Sequence, residues 1–277
     1  MRIDAHQHFW RLSRGDYGWL TPAAFPALCR DFRPADLAPL LEDAGIARTV
    51  LVQAAPTVAE TRFLLEVAAV APFVGGVVGW ADLEAADAAR VIEGLARDAR
   101  LVGLRPMLQD LDDDAWMLRP SLAPALDAMQ AAGLRLDALV APRHLPHLAR
   151  FLDRRPSLAV VIDHGAKPEI ARGDLAGWEA AIRVIARETA ACCKLSGLVT
   201  EARPGWTAED LRPCVDVLLD AFGPARLMWG SDWPVVDLAG GYAAWRSAAE
   251  ALTAGCSAAD RGLIFGETAA AFYGLAA

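Results

Sequence analysis

Histidine is scarce in this chain, five in 277 residues, yet two of them, His6 and His8, stand one residue apart in the opening stretch MRIDAHQHFW. On an extended strand, side chains alternate between faces, so His6 and His8 share one, and Arg2 and Asp4 are expected to share it with them. Two imidazoles so placed can ligate a metal or move protons. Further on come Arg105 in GLRPMLQ, Asp163 and His164 in VIDHGAKP, Lys194 in CKLSGL and Asp232 in WGSDWPV. None is diagnostic alone. Arg105 could be an ion-pair brace, Lys194 could neutralise Asp163 or Asp232, and Asp232 could cap a turn. His144 and His147 in APRHLPHL read as loop and helix-surface residues, and Asp112, Asp113 and Asp114 as a solvated run. Ser196 and Ser231 lack the GxSxG elbow of a serine nucleophile.

Positioning such residues together requires elements that end near one another. Eight β-rich runs recur: RIDAH, RTVLVQ from Arg48, FVGGVVGW from Phe73, LVGLRP from Leu101, LRLDALV from Leu134, LAVVID from Leu158, CCKLSG from Cys192 and RLMWGS from Arg226. Between them lie Ala- and Leu-rich stretches with helical spacing. Thr57 opens a Thr-x-x-Glu capping box. Pro34, Pro120 and Pro142 sit near helix starts, and Gly45 and Gly133 near helix ends. Strand and helix alternating eight times predicts an α/β fold, a (β/α)8 TIM barrel with a parallel sheet. A doubly wound sheet would bring a glycine-rich phosphate turn after the first strand, where this chain has HQHFW. No linker interrupts residues 1–277, which reads as one domain whose end, from Gly240, forms two closing helices. In a barrel the chemistry gathers at the C-terminal strand ends. His6, His8, Arg105, His164, Lys194 and Asp232 all fall there.

Bulk properties narrow the partners. A net charge of −8 and pI near 5.2 argue against a nucleic-acid footprint. No apolar run is long enough to span a bilayer, and the N-terminus lacks the pattern of a signal peptide. Five cysteines without a CxxC pair suit buried free thiols. A cytoplasmic protein with no membrane or nucleic-acid partner is expected.

The motif set HxH on strand one, His after strand six and Asp after strand eight resembles the amidohydrolase superfamily. Taken with DYGWL, LVGLRPMLQ, VIDHGAKP, CKLSGL and WGSDWPV, the chain is similar over essentially its whole length to the L-fuconolactonase-type sugar lactonase branch. It departs from the binuclear members. Those bridge two metals with a carboxylated lysine from strand four, where this chain has Arg105, and usually add a histidine on strand five, where LDALV has none. Its two lysines, Lys167 and Lys194, come late.

The resemblance therefore implies a small-molecule sugar lactone as substrate, with at most one divalent ion held by His6, His8, His164 and Asp232. Zinc is the first candidate, and the resemblance leaves two expectations, no cofactor required or one divalent ion. Asp232 is expected as general base, with His164, Arg105 and Lys194 as further catalytic groups, the two cations stabilising the oxyanion. The long segment 9–33 is rich in aromatic residues, as a functional loop can be. Trp10, Trp19, Trp80, Gln109 and Trp233 are expected to bind the sugar, against the simpler reading that the tryptophans cap the barrel. The alternatives are a metal-dependent decarboxylase of the same superfamily and a non-catalytic sugar-binding barrel.

Overall fold

The computed structural model describes residues 1–275; positions 276 and 277, which close the expected C-terminal helical segment, lie outside the described residues. All eight expected strands form: β1 Ile3–Gln7, β2 Arg48–Val52, β3 Val74–Gly79, β4 Leu101–Leu104, β5 Arg135–Ala138, β6 Val160–Ile162, β7 Cys192–Leu195 and β8 Leu227–Trp229. They pair in parallel in chain order, β1 to β8. The ring closes just past the last strand, where the His8 amide donates to Trp233 O at 2.7 Å and the Asp232 amide to His6 O at 2.8 Å. A parallel βα repeat that returns to its own first strand is a TIM barrel.

A helix follows each strand: α1 Pro34–Ala44, α2 Val58–Val70, α3 Ala88–Leu95, α4 Ala123–Ala131, α5 Leu145–Arg154, α6 Ala176–Glu188, α7 Ala208–Phe222 and α8 Tyr242–Leu252. Pro34 occupies the first turn of α1, and Gly45 ends it in a left-handed conformation, φ 64°. Pro120 and Pro142 open short 3-10 turns that run into α4 and α5 rather than the helices themselves. The box at Thr57 forms by half. Its side chain accepts from the Glu60 amide at 3.0 Å, but Glu60 reaches past it to the amides of Ala54 and Ala55 at the exit of β2. Of the two expected closing helices, α8 is the first. The second begins with α9 Ala258–Gly262 and continues through a π turn, Leu263–Glu267, into α10 Thr268–Tyr273.

This last helix seals the bottom of the barrel. Ile3, Ala5, Val50, Val52, Val78, Val102, Val161, Cys192 and Met228 form an apolar interior layer, and Ala269, Tyr273 and Leu275 pack against it. Two residues further along the strands the interior turns ionic. Lys194 lies on the same face of β7 as Cys192, and Asp163 follows Val161 by two.

The expected face shared by Arg2, Asp4, His6 and His8 is wrong, for a local reason. Three steps along β1, from Asp4 to Gln7, oppose two along β2, from Thr49 to Leu51. That extra residue is a β-bulge, which inverts the alternation beyond it. Ile3 and Ala5 face the interior before the bulge. Arg2 and Asp4 face out, Arg2 to Glu250 on α8 and Asp4 to the Ser231 amide. His6 and His8 face in after it. Without the bulge both histidines would point into the helical layer.

Candidate active site

Four side chains converge at the mouth. His6 Nε2 and His8 Nε2 are 3.2 Å apart. Asp232 Oδ1 lies 3.3 Å from His8 Nε2, 3.8 Å from His6 Nε2 and 3.9 Å from His164 Nε2. One carboxylate oxygen thus faces three ring nitrogens. All four side chains are buried, with only 4–5% of His8, His164 and Asp232 exposed.

The backbone holds this arrangement under strain. His164 (φ 55°) and Asp232 (φ 59°) both adopt the left-handed conformation, which costs a non-glycine residue about 1–3 kcal/mol and persists only where surroundings enforce it. For Asp232 the enforcement is the hydrogen bond from its amide to His6 O. For His164 it is a side-chain contact, Nδ1 to Ser196 Oγ at 2.9 Å. Two glycines leave the room. A Cβ at Gly197 would stand 2.5 Å from His164 Nδ1, and one at Gly230 would stand 2.7 Å from His6 Cβ. Asp4 ties β1 to β8 by accepting from the Ser231 amide at 2.8 Å and the His6 amide at 3.2 Å.

Beneath the ring lies a buried charge network. Lys194 Nζ sits 2.5 Å from Asp137 Oδ2, 3.0 Å from Asp163 Oδ1 and 3.1 Å from His6 Nδ1. Arg105 reaches Asp163 Oδ2 at 3.3 Å and donates to Gln53 O. Tyr273 donates to Asp137 Oδ2 at 2.8 Å from the closing helix. Burial raises Asp137 to about 6 against the pull of Lys194. Burial also works to raise Asp163, but Lys194, His6 and Arg105 outweigh it and hold that carboxyl well below its ordinary value. Burial, followed by Lys194, holds His6 well below the usual imidazole range, and burial lowers His164 to about 4. Asp232 is the converse. Burial would raise it, yet the His164, His8 and His6 rings hold it below the carboxylate range. The shifts are thus opposed in direction, the Asp232 carboxyl towards its ionised form and the His6 and His164 rings towards their neutral forms.

A cavity of about 400 Å³ opens onto His8, Arg105, His164 and Asp232. Trp19, Phe25, Val235 and Leu238 give it an apolar side, and Gln109, Lys167, Thr200 and Glu201 a polar one. Of the sequence-selected residues, Asp232, His164, Arg105, His8, Trp19 and Gln109 line it. Lys194 does not. It is wholly buried under His6, so it cannot meet a substrate oxygen, and the reading of Lys194 as an oxyanion donor is corrected to a residue acting through His6. Trp10 is buried behind His8, its indole N–H on Arg30 O. Trp233 packs edge-on against Phe9 and Phe32. Trp80 lines a neighbouring cavity of about 560 Å³ that shares the Trp19, Met107 and Asp110 wall.

Sequence reasoning did not select Phe25, Lys167, Thr200 and Glu201 for the cavity, nor Asp137, Ser196 and Gln53 for the supporting shell. Asp137 left a signal, a lone charge inside the apolar strand LRLDALV. Ser196 was weighed only as a nucleophile, whereas its hydroxyl orients His164.

An amidohydrolase family model matches residues 3–275. The chain belongs to the amidohydrolase family. This amidohydrolase is 49% identical over 276 residues to the L-fucono-1,5-lactonase of Burkholderia ambifaria, covering 98% of this chain and 95% of that protein. It is 43% identical to the L-fucono-1,5-lactonase of Burkholderia multivorans, covering 99% and 96%. An amidohydrolase from Burkholderia multivorans, solved with bound zinc, superposes with a TM-score of 0.92 at 41% identity over the full length of both chains.

The donor set of this amidohydrolase fits one divalent ion. Two ligands about 2.0–2.1 Å from an ion at a tetrahedral angle stand about 3.3–3.4 Å apart, close to the 3.2 Å and 3.3 Å separations around His8 Nε2. His8 Nδ1 lies 2.8 Å from Val52 O and donates to it, so Nε2 is the ring atom turned to the centre. A second grouping of His6, Asp163 and His164 also lies within ligating distance. There Lys194 and Arg105 already neutralise Asp163, so a second cation would meet two fixed positive charges.

Proposed function

We propose that the chain hydrolyses a sugar lactone of the L-fucono-1,5-lactone class to the open-chain sugar acid. The observation that carries this reading is the Asp232 carboxyl, ringed by histidines and lining, with Arg105, the floor of a sugar-sized cavity, in a chain 49% and 43% identical to L-fucono-1,5-lactonases. A lactone is an ester. Opening it requires an attacking water to lose a proton, the carbonyl oxygen to take negative charge and the ring oxygen to gain a proton. Asp232 accepts the proton from water and returns it to the leaving ring oxygen, as a general base and then a general acid. Arg105 lines the cavity floor and stabilises the oxyanion. His164, neutral and held by Ser196, orients Asp232. Gln109, Lys167, Thr200 and Glu201 take the sugar hydroxyls, while Trp19 and Phe25 pack against its C–H face. When bound at His6, His8, His164 and Asp232, a divalent ion such as zinc would supply Lewis-acid polarisation.

The relatives do not favour a decarboxylase or a silent sugar-binding barrel. The free thiols Cys29, Cys192, Cys193, Cys214 and Cys256 fit the cytoplasm. No described helix is long and apolar enough to cross a membrane. The test is a pH-indicator assay on L-fucono-1,5-lactone and on aldono-1,4-lactones, with and without chelator. Acid release that vanishes in Asp232→Asn is expected; tight binding of the lactone with no turnover would overturn the reading.

A further inference from the structure

The deepest charge in the barrel, Lys194, has no substrate to meet, yet its contacts determine what His6 can do. An ammonium group has three protons to donate and no lone pair. Lys194 Nζ has three neighbours in range: Asp137 Oδ2 at 2.5 Å, Asp163 Oδ1 at 3.0 Å and His6 Nδ1 at 3.1 Å. Each must act as an acceptor. His6 Nδ1 therefore presents its lone pair, and the single proton of the neutral ring is on Nε2. The neighbouring ring is fixed independently. Val52 O can only accept, so His8 Nδ1, 2.8 Å away, donates to it, and His8 Nε2 faces Asp232 Oδ1 at 3.3 Å. His6 Nε2–H then points into the mouth, 3.2 Å from His8 Nε2 and 3.8 Å from Asp232 Oδ1. Lys194 thus fixes His6 from below through Nδ1, as Val52 O fixes His8 through its own Nδ1. Arg105 Nη1 also lies 3.4 Å from His6 Nε2, and it has Asp163 Oδ2 at 3.3 Å as its own acceptor.

We infer that Lys194 is a positioning residue that locks His6 in its Nε2–H tautomer, so that the HxH pair is a hydrogen-bond donor in the ion-free enzyme and a metal ligand only at a cost. For His6 Nε2 to ligate an ion its proton must leave. If it moves to Nδ1 it faces the Lys194 ammonium at 3.1 Å, donor against donor, and the remaining acceptor, Asp163 Oδ1, is 3.5 Å away. Lys194 thus weakens ion binding through His6 while keeping His6 Nε2–H turned towards Asp232 and the cavity floor. The inference concerns protonation and affinity, so it stands or falls separately from the lactonase reading.

Two measurements on the full chain test it. In chelator-treated protein carrying 15N-labelled histidine, long-range 1H–15N spectra report which ring nitrogen bears the proton; the His6 signal is identified by its loss in His6→Gln. A bare Nδ1 and protonated Nε2 at His6 are expected. A proton on Nδ1 overturns the inference without any structural variant. The second measurement is zinc affinity, by competition with a chromogenic chelator, in Lys194→Met combined with Asp137→Asn. That pair removes one charge of each sign, keeps an acceptor for Tyr273 and leaves Asp163 paired with Arg105. Outer partners of metal-ligating histidines shift metal affinity by about 10–100-fold, and removing an opposing one is expected to tighten zinc binding at least about tenfold. Binding that weakens or changes by less than about threefold overturns the inference.

Discussion

Asp232→Asn separates the proton acceptor from the architecture around it. Asparagine has nearly the same shape and, with aspartate, is among the few side chains that tolerate the left-handed backbone Asp232 adopts at φ 59°. The Asp232 amide keeps its bond to His6 O, so the strand-eight turn survives. What disappears is the carboxylate oxygen 3.3 Å from His8 Nε2, and with it the proton acceptor that this reading assigns to the attacking water. Losing a positioned general base costs about 10²–10⁴ in rate, which at 1.36 kcal/mol per decade is about 2.7–5.5 kcal/mol of barrier. The cavity walls are unchanged, so KM is expected to move by less than about threefold and the loss to fall on kcat. Initial rates of lactone opening, followed with a pH indicator, would be read beside near-UV circular dichroism as the check on folding. A folded variant retaining more than about a tenth of wild-type kcat would refute Asp232 as the base and return catalysis to the cations or a bound ion.

Three further outcomes follow from the same geometry. Arg105→Met leaves Asp163 with Lys194 as partner, so kcat/KM should fall by about 10²–10³, the loss typical of an oxyanion donor, with a smaller effect on Tm; a change in Tm alone would make Arg105 a brace. Burial raises Glu60 to about 7 from an ordinary 4.5, so its contribution to stability is fully present below pH 4.5 and is lost as pH rises through 7; Glu60→Gln should gain about 3 kcal/mol on wild type between pH 4.5 and pH 8, and urea unfolding curves that stay parallel across that range would contradict it. Elemental analysis should find at most one zinc per chain, and prolonged chelation should leave at least half of the lactonase activity; two ions per chain, or complete loss restored by zinc or manganese, would contradict these two statements respectively.

The barrel was legible because its signals are local and repeated. Most strand runs have a proline or glycine nearby, and eight repeats of one pattern correct for errors in any single one. The rim was legible for a related reason. Polar residues that end apolar strands, as His6, Asp163 and Asp232 do, have no packing role to explain them. What the sequence hid were features set by contacts between distant segments. Nothing in RIDAHQH announces a bulge, because the bulge is a mismatch with β2, a partner more than forty residues away. The tryptophans misled for a different reason. Trp10, Trp19 and Trp233 are alike in type, but only Trp19 turns its face to the cavity, while Trp10 is pinned behind His8 by the backbone at Arg30.

Lys194 shows how position in the barrel decides the meaning of a residue type. At the end of a strand a lysine reads as a cation for substrate. One interior layer lower it has no access to substrate, and an unpaired charge there would cost several kcal/mol. The chain answers that cost with Asp137 from β5 and Asp163 from β6, two carboxylates for one ammonium. The surplus negative charge draws in Arg105 from β4 and the Tyr273 hydroxyl from the closing helix. One buried cation therefore recruits four other segments, and its third proton is left to point at His6. A binuclear amidohydrolase uses lysine as an anion bridging two metals. In this chain the buried lysine is paired instead with Asp137 and Asp163 and turns its remaining donor to a histidine of the HxH motif.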